Sequence, residues 1–146
     1  MPSMKIQIRR LHPDAVLPAP RHPGDAGGDL VAVEGCHLAP GARAMVATGL
    51  SIAIPEGHAG FVLPRSGLAS RFGVTCANAP GLIDAGYRGE IKVALVNLDP
   101  VQSYTVNVGD RIAQLVILAT AAMEFVEVDE LPITLRGDGG FGSTGR

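Results

Sequence analysis

One stretch decides the fold: Arg43-Ala-Met-Val-Ala-Thr-Gly-Leu-Ser-Ile-Ala-Ile54, then Pro55-Glu-Gly57, then His58-Ala-Gly-Phe-Val-Leu63. Two short apolar runs are separated by a Pro-Gly turn, which is the pattern of consecutive β-strands. The same pattern recurs in both directions along the chain. Many short strands at near-regular spacing predict an all-β fold, a jelly-roll-like barrel or sandwich.

The flanking sequence extends this pattern. The other β-rich runs are Lys5–Arg9, Leu30–Val33, Ile91–Leu98, Val101–Val106 and Ile112–Leu118. Turn signals stand between runs at Ala39-Pro-Gly41, Asp99-Pro100 and Asn107-Val-Gly109. Only Ser66–Phe72 is predicted to be helical, with Ser66 as the N-cap and Gly73 as the residue that ends the helix.

Length and composition predict a single domain over residues 1–146, and 47% of these residues are apolar, enough to form a core. The net charge of −2 gives no reason to expect a nucleic-acid surface. No apolar run is long enough to cross a bilayer, and the N-terminus lacks a signal-peptide stretch. Cys36 and Cys76 stand alone, which favours structural thiols in the cytoplasm. The histidines show no metal-ligand spacing, so no protein metal site is predicted.

The C-terminal end, Arg136-Gly-Asp-Gly-Gly-Phe-Gly-Ser-Thr-Gly145, is rich in glycine and hydroxyl groups. Its glycines match G-x-G-x-x-G, but no strand–helix unit can follow, and a Walker loop would need Lys where Ser143 stands. Backbone N–H groups of such a segment can surround an anion. We expect residues 136–146 to form a mobile phosphate-covering lid with Phe141 at its centre. A tail without function fits the same composition.

A second candidate anion site is Pro64-Arg-Ser-Gly-Leu-Ala69, where a predicted strand meets the predicted helix. Free N–H groups at a helix start favour phosphate, and Arg65 and Ser66 would strengthen the site. A solvated arginine on an ordinary surface helix explains these residues equally well.

The segment from Asn78 to Glu90, NAPGLIDAGYRGE, is the densest in polar groups. The Asn78 amide could read a base edge, since it offers a donor and an acceptor together. Asp84 could orient and deprotonate a water, and Tyr87 could pack against a sugar or base. A β-hairpin loop in which these residues serve only the turn is the alternative.

Five ordered segments, taken together, resemble the bacterial-type trimeric dUTPases over nearly the whole chain. The segments begin at Ala26 (AGGDLVA), Pro64 (PRSGLA), Asn78 (NAPGLIDAGYRGE), Gly109 (GDRIAQL) and Arg136 (RGDGGFGSTG). The resemblance implies a jelly-roll-like subunit and a homotrimer with three sites at subunit junctions, each closed by a neighbour's tail. It also implies hydrolysis of dUTP to dUMP and diphosphate, which keeps uracil out of DNA and supplies dUMP for thymidylate synthesis.

The resemblance assigns roles to individual residues. Asp84 would activate the water that attacks the α-phosphorus, and Mg²⁺ would be carried by the substrate phosphates and water. The uracil edge would be read by Asn78 and the backbone at Leu82 and Ile83, with Tyr87 under the deoxyribose. The phosphate chain would be held by Arg65, Ser66, Gly67 and Gln114, and the lid formed by Arg136, Phe141, Gly142 and Ser143. Lys92 would contact substrate, and Asp29 would support the site indirectly.

The sequence departs from the usual pattern of the family at Gly28, and two other functions are compatible with the same fold. The family usually carries a larger residue where Gly28 stands, so that turn is expected to be looser here. The dCTP deaminases are similar at Arg65-Ser66, but their catalytic Glu would fall at Ala94. A non-catalytic nucleotide-binding protein on the same fold is the other alternative, although no reacting group is missing.

Overall fold

The computed structural model describes residues 3–145, which form eleven β-strands and one α-helix. In chain order these are β1 Gln7–Arg10, β2 Gly28–Val31, β3 Cys36–Leu38, β4 Arg43–Ala47, β5 Leu50–Ala53, β6 His58–Leu63, α1 Ser66–Phe72, β7 Val74–Cys76, β8 Gly81–Ile83, β9 Lys92–Asn97, β10 Tyr104–Val106 and β11 Arg111–Ala119.

The strands pair antiparallel throughout the described chain. One sheet has the order β2-β11-β6-β8 and another β4-β9-β7, while β1-β5 and β10-β3 form two-stranded sheets. All four sheets contribute to one hydrophobic core, in which Leu30, Leu50, Leu95 and Ile112 are fully buried. The predicted all-β, jelly-roll-like fold with one short helix is therefore confirmed.

Several predicted strand limits were wrong. The run Arg43–Ile54 is two strands, because the backbone at Gly49 has φ +67° and a Cβ there would lie 2.7 Å from that of His12. Three strands were missed, β3, β7 and β8, each of three residues. A three-residue strand is too short to show an alternating pattern in the sequence.

The helix has the predicted bounds but a different N-cap. Arg65 occupies that position with no side-chain cap, and Ser66 is already the first helical residue. Gly73 ends the helix in the left-handed conformation, as predicted, and donates its N–H to the carbonyl of Ala69. Buried Leu68 and a Phe72–Tyr104 ring contact, with centroids 5.1 Å apart, hold the helix on the sheets.

The two cysteines, Cys36 and Cys76, are unpaired. Burial raises the pKa of both thiols, and Glu34 adds to the rise at Cys36. Within residues 3–145, no helix is long and apolar enough to span a membrane.

Beyond β11 the chain leaves the body of the subunit. We call residues 120–135 the arm and residues 136–145 the tail. Every arm residue is exposed, including apolar side chains such as Phe125, Leu131 and Ile133. An exposed apolar stretch of this length is unusual on a monomeric protein.

Candidate active site

The residues predicted to contact the uracil and the deoxyribose gather around one cleft, which we call the hairpin cavity. It has a volume of about 570 Å³, and its lining includes Asn78, Leu82, Ile83, Tyr87 and Lys92. β8 provides the floor, since it pairs with β6 and places the buried Ile83 against the core. Leu82 is 61% exposed, so its backbone rather than its side chain is fixed by the sheet.

The loop from Asp84 to Glu90 is tied to the rest of the subunit at several points. Ser51 Oγ donates to the Arg88 carbonyl at 2.6 Å, and a Glu90 carboxylate oxygen accepts the Gly49 N–H at 3.0 Å. Within the loop, the Tyr87 hydroxyl donates to the Glu90 carbonyl at 2.9 Å. The first two of these bonds tie the loop, which connects β8 to β9, to residues 49–51 at the start of β5.

Gly89 makes room for the Tyr87 ring. A Cβ at this position would lie 2.6 Å from Tyr87 Cζ and 2.9 Å from Cε2, closer than real Cβ contacts allow. A side chain at position 89 would therefore make the half-exposed Tyr87 ring shift, while Gly86 in the same loop has open space around it.

Asp84 follows β8 directly and is exposed. Its backbone carbonyl accepts the Tyr87 N–H at 3.1 Å, whereas its carboxylate bonds to nothing in the described part of the chain. A free carboxylate at the end of a fixed strand can accept a proton from a water placed beside it.

β9 forms a wall of the hairpin cavity through alternate residues. Lys92 and Ala94 both line the cavity, while Val93 and Leu95 between them are buried. Because side chains alternate along a strand, a carboxylate at position 94 would face the cavity. Alanine there removes the proton shuttle that a deaminase would need.

The residues predicted to hold the phosphate chain gather around a second cleft, which we call the arginine cavity and which has a volume of about 440 Å³. Its lining includes Asp29, Arg65, Ser66, Gly67 and Gln114. Gln114 on β11 pairs in register with Asp29 on β2 and with Leu63 on β6, and its amide nitrogen donates to the Pro64 carbonyl at 3.1 Å. The sheet thus brings the three segments together.

Asp29 holds two arginines. Its carboxylate lies 3.3 Å from Arg65 Nε and 3.5 Å from Arg111 Nη1, and Arg65 Nη1 also donates to the Arg111 carbonyl at 3.1 Å. The guanidinium of Arg65 is therefore oriented before any ligand arrives. A supporting role for Asp29 that acts through Arg65 would use this contact, and the role itself stays a prediction.

A β-bulge makes this arrangement possible. The register of β11 against β2 shifts between Arg111 and Ala113, and Ile112 and Ala113 are both buried. Arg111 and Gln114 are three residues apart and would point to opposite faces of a regular strand. The extra residue brings both to the side of Asp29.

The first N–H groups of the helix are free because Arg65 provides no side-chain cap. A Cβ on Gly67 would meet nothing within 4 Å, so the backbone there is open to a ligand. Seven residues make a weak dipole, so these N–H groups and the Arg65 charge are what the site offers an anion.

The two cavities share no lining residue. Val62 lines the hairpin cavity and its neighbour on β6, Leu63, lines the arginine cavity. Adjacent residues on a strand point to opposite faces, which indicates that the cavities open on different sides of the sheet. The chain therefore presents two separate clefts, which we treat below as candidate half-sites.

The sequence of residues 14–145 matches the family model described as dUTPase. The chain belongs to the dUTPase family. It is 59% identical over 143 residues to the deoxyuridine 5'-triphosphate nucleotidohydrolase of Thermobifida fusca, covering 98% of this chain and 80% of that protein. The protein of the same name from Mycobacterium leprae is 55% identical over 148 residues, covering 98% and 96%.

Solved dUTPases have the same fold. The dUTPase of Staphylococcus bacteriophage 80alpha, determined with dUpNHpp, superposes with a TM-score of 0.92 at 29% identity, covering 99% of this chain and 100% of that one. A dUTPase from phage phi11 of S. aureus gives a TM-score of 0.82 at 29% identity, covering 88% and 99%; its description mentions a structural Mg(II) ion.

In this dUTPase-family chain the predicted lid residues line neither half-site. Arg136 Nε donates to the Gly139 carbonyl at 2.8 Å, and the Ser143 N–H donates to that of Gly140 at 3.0 Å. Phe141 is fully exposed at φ +52°, followed by Gly142 at φ +83°. The tail bonds to itself and, through the Gly137 N–H, to Thr134 of the arm. Arg146, the last residue of the predicted lid, lies outside the described residues.

Sequence reasoning missed four residues of this dUTPase site. Arg111 holds Asp29, and Arg21 and Asp25 line the arginine cavity, while Met45 lines the hairpin cavity. Arg111 stood within a recognised segment, but only the bulge shows where it points. The Gly28 prediction was wrong, because Gly28 is a buried residue of β2 in tight contact with residues 18–19.

Proposed function

We propose that this protein hydrolyses dUTP to dUMP and diphosphate by water attack on the α-phosphorus, at sites completed between three copies of the chain. Membership of the dUTPase family supports the reaction. The observation that carries the proposal is the separation of base-side and phosphate-side residues into two cavities without a common residue. A second copy must bring one half-site to the other.

The hairpin cavity would hold the nucleoside. Asn78 and the backbone at Leu82 and Ile83 can pair with the uracil edge, and Lys92 stands at the wall. Cytosine would leave these groups unpaired, which can cost several kcal/mol and is about 10⁴–10⁵-fold in the strongest cases. Tyr87, held over Gly89, would pack under the deoxyribose and exclude a 2′-hydroxyl.

Asp84 would act as the general base. Its carboxylate is exposed and free of partners in the described chain, while the strand before it and the turn after it fix its backbone. A water held against this oxygen would lose its proton as it attacks phosphorus, and the bond to the diphosphate oxygen would break. In such a displacement, positioning and charge neutralisation account for most of the rate.

The arginine cavity would hold the phosphate chain through Arg65, Ser66, Gly67 and Gln114. Mg²⁺ would enter on the triphosphate and offset its charge. No group of three His, Cys, Asp or Glu side chains able to hold a metal occurs among residues 3–145, and the Asp29 carboxylate is already engaged by Arg65 and Arg111. These residues fit a metal bound by phosphates and water.

The arm supports assembly into a homotrimer. Its apolar side chains are exposed, and an apolar groove of about 570 Å³ lined by Ile6, Ile8, Leu17, Ile52 and Ile117 is open on the same subunit. An arm packed on another copy would bury both surfaces and deliver that copy's tail to a shared site. Arg136, Phe141, Gly142 and Ser143 would then close over the nucleotide. The two unpaired cysteines fit a cytoplasmic location.

Substrate choice tests the reaction. Pyrophosphate release would be compared for dUTP, UTP, dCTP and dTTP with Mg²⁺, alongside ammonia release from dCTP. We expect turnover of dUTP to dominate and no ammonia to form. Equal rates on all four nucleotides, or ammonia from dCTP, would overturn the proposal.

Complementation tests the shared site. Asp84→Asn and Arg65→Gln each disable one half-site, so trimers of either variant should be nearly inactive. If each site draws the two residues from different copies, dissociating and reassembling an equal mixture should restore about a quarter of wild-type activity by random assortment. A mixture that stays inactive, or a monomeric mass by light scattering, would contradict the assembly.

A further inference from the structure

Pro18 and Ala19 lie directly on Gly28. A Cβ at Gly28 would be 2.9 Å from Pro18 Cβ and 3.0 Å from the Ala19 nitrogen, and the glycine is buried. The backbone of residues 18 and 19 cannot move aside as the end of a flexible side chain could. This path of the chain across β2 therefore requires glycine at position 28.

The same path leads Arg21 to the arginine cavity. Arg21 lines that cavity together with Arg65, Ser66 and Gln114. A closed turn follows at once, in which the His22 N–H donates to the Asp25 carboxylate at 2.9 Å and the Asp25 N–H donates to the His22 carbonyl at 3.1 Å. Pro20, on the near side, limits the backbone further. The position of Arg21 is thus set from both sides.

The guanidinium of Arg21 is uncommitted. It has no ion pair or hydrogen bond within residues 3–145, whereas Arg65 and Arg111 share Asp29 and Arg88 bonds to carbonyls of its own loop. Its five N–H donors bond to no group of the described residues, and such donors are well suited to phosphate oxygens.

The charge of the cavity lining points the same way. Arg21 and Arg65 formally cancel the two carboxylates in the lining, Asp25 and Asp29. Without Arg21 the lining would carry net negative charge toward a polyanion. Removing it should therefore weaken attraction for a triphosphate both directly and through the exposed Asp25.

We propose that Arg21 is a further substrate-binding residue that contacts the phosphate chain, and that the glycine at position 28 is what places it there. This rests on the proposed function, because it assumes that the arginine cavity receives the triphosphate. Arg21 belongs to none of the five segments that the sequence singled out.

The test is steady-state kinetics of Arg21→Gln and Arg21→Lys, with Arg43→Gln as the matched control. Arg43 is exposed on β4 and does not line the cavity. Loss of one charge-assisted contact at an open site should raise KM for dUTP about 3- to 10-fold. We expect this rise in Arg21→Gln, with kcat nearly unchanged and with a KM that depends less steeply on salt concentration. Arg21→Lys should recover part of the lost affinity. Inhibition by dUMP, which has one phosphate, should change less.

The link to Gly28 is tested by a double-mutant cycle. Gly28→Ala should raise KM, and combining it with Arg21→Gln should raise KM no further than Arg21→Gln alone. Additive effects would overturn the placing role of Gly28. A KM for Arg21→Gln equal to that of Arg43→Gln would overturn the role of Arg21. Wild-type protein inactive on dUTP would instead overturn the proposed function itself.

Discussion

Asp84 and Asp29 show how the same side chain acquires different roles from its surroundings. Asp29 lies between Arg65 and Arg111, so its negative charge is already paired within the chain. The Asp84 carboxylate is exposed and has no partner among the described residues. Only the second is free to take a proton from a substrate water, which is why we assign catalysis to it.

Replacing Asp84 by Asn should keep the shape of the site and remove the base. Because general-base catalysis contributes about 10²–10⁴-fold, kcat should fall by that amount while nucleotide affinity stays within a few-fold. Single-turnover pyrophosphate release and calorimetric binding of dUMP would measure the two quantities. Unchanged turnover would show that another group activates the water.

Gly89→Ala should impair sugar discrimination. The added methyl would overlap the Tyr87 ring, which must then leave its present position. We expect the ratio of kcat/KM for dUTP to that for UTP to fall about tenfold, roughly the value of one small steric difference. Gly86→Ala, where nothing lies within 4 Å, is the control and should leave the ratio unchanged. If the dUTP/UTP ratio of kcat/KM were the same in both variants, the position of Tyr87 would not determine discrimination between the two sugars.

At the level of elements, short strands and their connections set the geometry of the half-sites. The bulge in β11 turns Arg111 and Gln114 to one side, and β8 ends directly before Asp84.

Buried Asn97 at the end of β9 connects neighbouring segments of the chain. Its amide donates to the carbonyls of Leu38 at 3.0 Å and Gln102 at 2.8 Å and accepts the Asp99 N–H at 2.9 Å.

Asn97→Ala should be strongly destabilising. It leaves two carbonyls and one N–H without partners, at least one of them buried, which should lower the free energy of unfolding by about 2–4 kcal/mol. Urea denaturation monitored by circular dichroism would measure the loss. Asn107→Ala, at an exposed position, should change stability by less than about 0.5 kcal/mol. Similar values for both variants would contradict the structural role of Asn97.

At the scale of the whole molecule, the subunit is incomplete in two respects. Its half-sites are separate, and its arm exposes apolar side chains along residues 120–135. In the proposed trimer, the arm would be buried and the half-sites would be joined by the same association. Stability and catalysis would then depend on protein concentration together.

Deleting residues 136–146 should separate catalysis from stability. The hydrogen bonds of residues 137–145 stay within the C-terminal segment, so the melting temperature should hardly change, while loss of the lid should lower kcat/KM about tenfold or more. Pyrophosphate release and differential scanning calorimetry would report the two effects. Deleting residues 120–146 should in addition lower the oligomeric mass. A large drop in melting temperature from the shorter deletion would make the tail a structural element.

The sequence by itself determined the all-β class, the single helix with its bounds and the family. These depend on local signals, namely turn residues, apolar runs and ordered segments such as Pro64–Ala69 and Asn78–Glu90. Through the resemblance it also predicted site residues, several of which line the two cavities.

Only the tertiary structure decided which of these residues lie together. Arg111 reaches Asp29 because of a bulge in β11. Gly28 lies under Pro18 and Ala19 because that part of the chain packs across β2. Asn78 and Arg65 lie in different clefts because the side chains of β6 alternate between the two faces of the sheet. Each follows from contacts between segments far apart in the chain. Local sequence patterns carry no information about such contacts, since the register and facing of strands are settled only when the sheets pack.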